Sequence, residues 1–248
     1  MEIVIHRFES MQNGELVIPY LRLSKLPESS LWEKVTFLNC SGNNLSQLTE
    51  LPNIRYLDCS SNNLTYLPEL PNVKWLFCSY NYLQYLPKLP NIRELSCEYN
   101  NLTYLPNLSN IENLYCGNNK LTYLPEIPKV IELRCVDNQL TYLPELPNVQ
   151  ELYCGRNLIT ELPELPKLVS TKLIYSIKNP LLFKPKHYKY VHQIRKISIM
   201  LSVIKQWRKF NQKSIKNKKQ SLHNELLYSP DLPFYLEHLK ARHLFEQS

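Results

Sequence analysis

Glycine is nearly missing from this chain, with 4 residues in 248. No glycine-rich loop of the kind that cradles phosphate can be built from so few. Long apolar runs are missing too: no stretch approaches the roughly 18 apolar residues that a membrane-spanning helix needs. The start, Met1-Glu2-Ile3-Val4-Ile5-His6-Arg7, has neither the basic opening nor the apolar stretch of a secretory signal. The expected location is therefore intracellular (cytoplasmic), where thiols stay reduced. Histidine is absent from residues 35–167, with one at position 6 and five beyond residue 180. No Ser/His/Asp set, paired-carboxylate cleft or metal motif can be assembled, so neither an enzyme nor a cofactor is expected.

What the chain has in excess is 18 prolines and 17 tyrosines, unlike an average globular protein. Both follow if a short unit containing proline and tyrosine is copied many times. Hydrophobic residues make up 44%, enough for a folded core. The formal charge of +7 hides an asymmetry: residues 35–167 hold nine Lys and Arg against thirteen Asp and Glu, whereas residues 168–248 hold sixteen against four. An acidic body with a basic tail suggests two regions with different tasks.

The copied unit is plain. All seven cysteines, Cys40, Cys59, Cys78, Cys97, Cys116, Cys135 and Cys154, recur at one constant interval of nineteen positions. A leucine stands two residues before each and an asparagine three residues after, as in Leu57-Asp58-Cys59-Ser60-Ser61-Asn62. The full unit reads L-x-x-L-x-C-x-x-N-x-L-x-x-L-P-x-L-P. The L-x-C segment alternates as a strand does, sending Leu and Cys inward. One strand per coil then stacks into a parallel sheet. The asparagine closes the turn after the strand, and successive copies form a buried ladder that satisfies main-chain groups of adjacent coils. Paired prolines, such as Pro68 and Pro71, exclude a helix on the return and favour extended backbone.

This pattern is identified as that of the leucine-rich repeats, with Cys at the third apolar site. The L-P-E-L-P spacing resembles the short repeats of secreted bacterial leucine-rich-repeat effectors. The Cys variant and the tail look more like repeat proteins of giant DNA viruses of the mimivirus type. The resemblance implies a solenoid with a parallel β-sheet on the concave side, an extended, polyproline-like convex side and a basic α-helical C-terminal cap. Some bacterial relatives carry a ubiquitin-ligase domain with a catalytic cysteine; no cysteine lies outside the repeats here, so that role is not carried over. Three segments are expected: an N-terminal cap and degenerate half-coil (1–34), the solenoid (35–182, with seven full repeats in 35–167 and a degenerate coil), and a basic helical region (183–248). In the degenerate ends, Pro19 and Ser24 fall where Leu and Asn belong, as do Thr171 and Ser176.

Seven thiols invite a metal or redox reading. Rungs about 4.8 Å apart on parallel strands cannot converge four ligands on one zinc ion. The cysteines are read instead as small apolar core residues.

Recognition in such a fold is expected on the outward positions of the sheet, since the other positions build the core. The first coils are aromatic there, with Phe37, Tyr56, Trp75, Phe77, Tyr80 and Tyr99. Later coils carry Glu94, Tyr115, Glu132, Glu151 and Tyr153. Large exposed aromatics beside carboxylates suit a protein partner with apolar anchors and basic side chains, and disfavour nucleic acid on this surface. The alternative is that the rings only stack on one another as good strand formers. A second tyrosine column, Tyr66, Tyr85, Tyr104, Tyr123 and Tyr142, is expected to pack between coils. In the tail, Ile194, Ile197, Leu201, Ile204 and Trp207 recur at helical spacing among Lys and Arg. That helix either caps the last coil or tethers membrane, nucleic acid or a second protein. The expected function is a non-enzymatic protein-interaction module, monomeric or weakly homodimeric, with an adaptor or a viral or pathogen effector as the alternative.

Overall fold

The computed structural model describes residues 2–168 and 179–180. The degenerate last coil, apart from residues 168, 179 and 180, and the expected basic helical region 183–248 lie outside the described residues. A helix, α1 (Glu2–Glu9), opens the chain, and eight three-residue strands follow. These are β1 (Glu15–Val17), β2 (Phe37–Asn39), β3 (Tyr56–Asp58), β4 (Trp75–Phe77), β5 (Glu94–Ser96), β6 (Asn113–Tyr115), β7 (Glu132–Arg134) and β8 (Glu151–Tyr153). Each pairs in parallel with the next, giving one sheet in the order of the sequence. Each coil takes the number of the strand that opens it.

Every strand buries its middle leucine and turns its two flanking residues outward. The cysteine that follows in coils 2–8 is fully buried and free. In coil 3 the core is Leu57, Cys59, Leu64, Leu67, Leu70 and Val73, and the same columns run through the other coils. Each burial is worth about 1.5–3 kcal/mol for a large aliphatic side chain. Ordering costs about 1–2 kcal/mol for each residue's backbone, so a coil cannot stand without neighbours that complete its core. Among the described residues, the returns of coils 2–8 contain no helix, as the prolines require.

The asparagine ladder has the role assigned to it. Asn81 accepts from the Leu64 N–H at 2.9 Å and donates to the Cys59 and Cys78 carbonyls, both at 3.1 Å. Asn62, Asn100, Asn119, Asn138 and Asn157 repeat this arrangement. Two residues after each cysteine the backbone is left-handed, at Gly42, Ser61, Tyr80, Tyr99, Asn118, Asp137 and Arg156. That conformation costs about 1–2 kcal/mol for a residue with a Cβ, so the turn is held by bonds to neighbouring coils. The Tyr80 N–H, for one, donates to the Glu98 carbonyl at 2.9 Å.

Three features depart from the sequence expectations. First, β1 pairs Leu16 with Leu38, a step three positions longer than the repeat. Leu16 and Ile18 thus take the strand positions of Leu and Cys, and Pro19 and Ser24 do not occupy the repeat positions expected of them. The three extra residues fall in the segment containing the 3-10 turn Ser30–Lys34, where Trp32 is buried edge-on against Phe8 of α1 at 4.5 Å. Second, at the far end Asn179, not Ser176, continues the ladder: it accepts from Ile159 N–H at 3.1 Å and donates to the Cys154 carbonyl at 2.8 Å. Third, the Tyr66 to Tyr142 column is only partly packed between coils. Its residues are 40–53% exposed, no two of its rings stack among the described residues, and the Tyr66 hydroxyl meets Gln47 of the previous coil at 3.3 Å.

A second ladder went unanticipated. Asn53, Asn72, Asn91, Asn110 and Asn148 each donate to a main-chain carbonyl one coil back, on the exposed edge of the return. In this column Lys129 and Lys167 replace asparagine and instead bond the side-chain oxygens of Asn110 and Asn148. Among the described residues no helix is long and apolar enough to cross a membrane.

Candidate interaction face

The strand geometry places the flanking residues in columns on the outward face, because parallel in-register pairing aligns equivalent positions. The column before the inward leucine reads Phe37, Tyr56, Trp75, Glu94, Asn113, Glu132 and Glu151. The column after it reads Asn39, Asp58, Phe77, Ser96, Tyr115, Arg134 and Tyr153.

Three of the expected aromatics form one cluster. Phe37 stacks on Tyr56 with centroids 4.2 Å apart and an angle of 7°, and Tyr56 tilts against Phe77 at 5.4 Å. Trp75 lies beside them at 39% exposure with no ring partner among the described residues. Tyr80 and Tyr99 form a separate stacked pair at 4.4 Å on the left-handed turns, each about half exposed. Packing and exposure therefore coexist: Phe37, Tyr56 and Phe77 brace one another, while Trp75 stays open.

The carboxylates divide into two groups. Glu132 is bound within the protein: Arg134 donates to it at 2.7 Å and the Tyr115 hydroxyl at 3.1 Å. The Arg134 guanidinium lies between the rings of Tyr115 and Tyr153, 5.3 and 4.9 Å from their centroids. Burial and the neighbouring Glu132 push the Tyr115 phenol up to about 12. The Tyr153 hydroxyl donates to Glu151 at 3.3 Å. Later acids of the expected stripe are thus engaged in a local Tyr–Arg–Tyr–Glu network.

Glu94 and Glu98 differ. Neither has an ion-pair partner among the described residues, where the ion pairs are Arg93–Glu112, Arg134–Glu132 and Arg156–Asp137. Glu98 lies across Gly117, where a Cβ would come within 3.1 Å of its Oε1. Burial raises the Glu98 carboxyl above its ordinary value, opposed by the charge of Arg134.

Arg134 and Ser96 fall on outward positions by the repeat, but the sequence assigned neither a role in the site. Stepping by one repeat at a time from Phe77 gives Ser96, Tyr115, Arg134 and Tyr153, so the repeat itself contained the signal. The cysteines contribute nothing to this face. Burial raises every thiol well above its ordinary value, leaving little nucleophilic thiolate. Among the described residues, no three His, Cys, Asp or Glu side chains are grouped to hold a metal ion.

Several solved structures share this architecture. YopM, a leucine-rich effector protein from Yersinia pestis, is 33% identical over 73% of this chain and 54% of its own, with a TM-score of 0.63. YopM from Yersinia enterocolitica WA-314 is 37% identical over 68% of this chain and 40% of its own, with a TM-score of 0.64. A Shigella effector leucine-rich-repeat domain is 27% identical over 79% of this chain and 83% of its own, with a TM-score of 0.57. The chain spans about half the length of the YopM structures it matches. No protein-family model matches the sequence, and no curated protein does. The fold is that of a leucine-rich-repeat solenoid.

Proposed function

We propose that this leucine-rich-repeat solenoid is a non-enzymatic interaction module that takes a protein partner on the outward face of its sheet. The observation that carries the reading is Trp75, open beside the braced Phe37–Tyr56–Phe77 cluster and next in register to Glu94, which has no ion-pair partner among the described residues. Exposed indole on a rigid base loses little conformational entropy on binding, and Trp and Tyr are enriched among the residues that dominate interface energies. Tyr80, Tyr99, Tyr115, Glu132, Glu151 and Tyr153 extend the same surface. Similarity to bacterial effector repeats supports a protein as the ligand. The chain acts as a monomer or weak homodimer. An adaptor role is a second reading, favoured by one observation: residues 168–248 carry sixteen Lys and Arg against four Asp and Glu. In that reading the repeats hold one protein, and the tail engages membrane, nucleic acid or a second one.

The test is affinity capture of the full chain from its native cell beside a Trp75→Ala/Phe77→Ala variant and a Tyr85→Ala/Tyr104→Ala variant. A protein lost only with the first variant, in a folded chain, places recognition on the sheet face. Identical captures with all three would remove it from that face and direct attention to the tail.

A further inference from the structure

Coil 7 fills its own outward face in a way that coil 5 does not. In coil 7, Arg134 lies between the rings of Tyr115 and Tyr153, contributed by the strands on either side, and bonds Glu132, two residues before it. The distances of 5.3 and 4.9 Å are those of a cation over aromatic faces. They also match an interstrand spacing of about 4.8 Å, so the separation is set by the sheet. Coil 5 has the same frame. Phe77 and Tyr115 stand on the strands either side of Ser96, and Glu94 lies two residues before it. The central side chain differs, with serine where coil 7 has arginine, and one flanking ring is Phe77 rather than a tyrosine.

We infer that this notch over Ser96 receives an arginine side chain from the protein partner, seated between Phe77 and Tyr115 and paired with Glu94 and Glu98. The inference rests on the proposed function, because it names what that partner presents. Coil 5 is better equipped than coil 7 for an added cation, since Glu98 stands where coil 7 has Val136. Neither Glu94 nor Glu98 has an ion-pair partner among the described residues. The partial burial of Glu98 has already removed some of its water, which favours a charged ligand. The floor is fixed in advance: Ser79 and Ser96 share a hydrogen bond of 2.8 Å between hydroxyls, and Ser79 Oγ accepts from the Glu98 N–H at 3.1 Å. A planar guanidinium both stacks between two rings and meets two carboxylates, whereas a lysine ammonium does only the second well.

The experiment uses the full chain labelled for NMR, with N-acetyl-arginine amide as the probe and N-acetyl-citrulline amide as its neutral counterpart. Arginine is expected to shift the Ser96, Glu98 and Gly117 amides saturably in the millimolar range, with citrulline at least about tenfold weaker. A Ser96→Arg variant, filling the notch as Arg134 fills its own, is expected to keep the fold and abolish those shifts. Glu94→Gln/Glu98→Gln is expected to weaken them about tenfold. Equal binding of citrulline, unchanged binding in Ser96→Arg, or no saturable shift in the millimolar range overturns the assignment. If Trp75→Ala/Phe77→Ala loses the captured partner while Ser96→Arg retains both partner and probe, only the arginine assignment falls. A probe that binds as expected, with capture unaffected by either variant, leaves the notch and removes the proposed function.

Discussion

Replacing Asn100 with alanine removes one rung from the middle of the buried ladder. Its Oδ1 is the acceptor for the Leu83 N–H at 2.9 Å, and its Nδ2 donates to the Cys78 and Cys97 carbonyls at 3.0 and 3.1 Å. The losses are unequal. The Cys78 carbonyl keeps a donor from Asn81, and the Cys97 carbonyl keeps one from Asn119. The Leu83 N–H keeps none and is buried. An orphaned buried donor costs about 1–3 kcal/mol, and each weakened carbonyl about 0.5–1 kcal/mol, for a sum of about 2–5 kcal/mol. Asn91→Ala makes the contrast, because its single bond to the Pro71 carbonyl at 2.8 Å is exposed and water can replace it. That variant should lie within about 0.5 kcal/mol of wild type. Urea unfolding followed by circular dichroism measures both, and hydrogen exchange at the Leu83 amide reports the orphaned group directly. An Asn100→Ala cost no larger than that of Asn91→Ala would show that the ladder does not bear on stability as described.

Three further outcomes are expected. All seven thiols should resist a water-soluble disulfide reagent at pH 8 in the folded protein and react on unfolding, because burial raises each thiol's pKa; one rapidly modified cysteine contradicts their burial. Tyr115 should be the late phenol in an ultraviolet titration, with the step near 12 missing in Tyr115→Phe. Its folded pKa lies above the ordinary 10.0, so the stability it contributes is full below pH 10 and is lost as pH rises through about 12. The Glu132–Arg134 pair is half exposed on the arginine side, so a double-mutant cycle should return a coupling below about 1 kcal/mol that falls with added salt. A coupling well above about 1 kcal/mol, or one unchanged by salt, would contradict an exposed ionic pair.

The interior of each coil was legible because every buried position recurs once per repeat and its chemistry follows from alternation. Leu57, Cys59 and Asn62 could be assigned from spacing alone. The two ends escaped that rule for a geometric reason. A 3-10 turn containing Trp32 lengthens the first coil by three residues, and the step from Asn157 to Asn179 is longer than the repeat by the same amount. Extrapolating the period therefore pointed to Ser24 and Ser176. The exposed ladder from Asn53 to Asn148 was periodic too, but a surface asparagine on the return has no pattern that reveals its bond to the previous coil. On the face, the aromatic and acidic content could be read from sequence, yet its pairing could not be read one coil at a time. Glu132 looks like a free acid until the register sets Arg134 between Tyr115 and Tyr153.

Site-specific photo-crosslinking in the native cell tests the central claim most directly. A benzophenone side chain would be placed at Trp75 or Tyr80 on the sheet face, and at Tyr104 or Tyr123 on the return, with each variant checked for folding. The account predicts one discrete protein adduct from the sheet positions and none from the return. Adducts confined to the return, or absent from both sheet positions in folded chains, would contradict it.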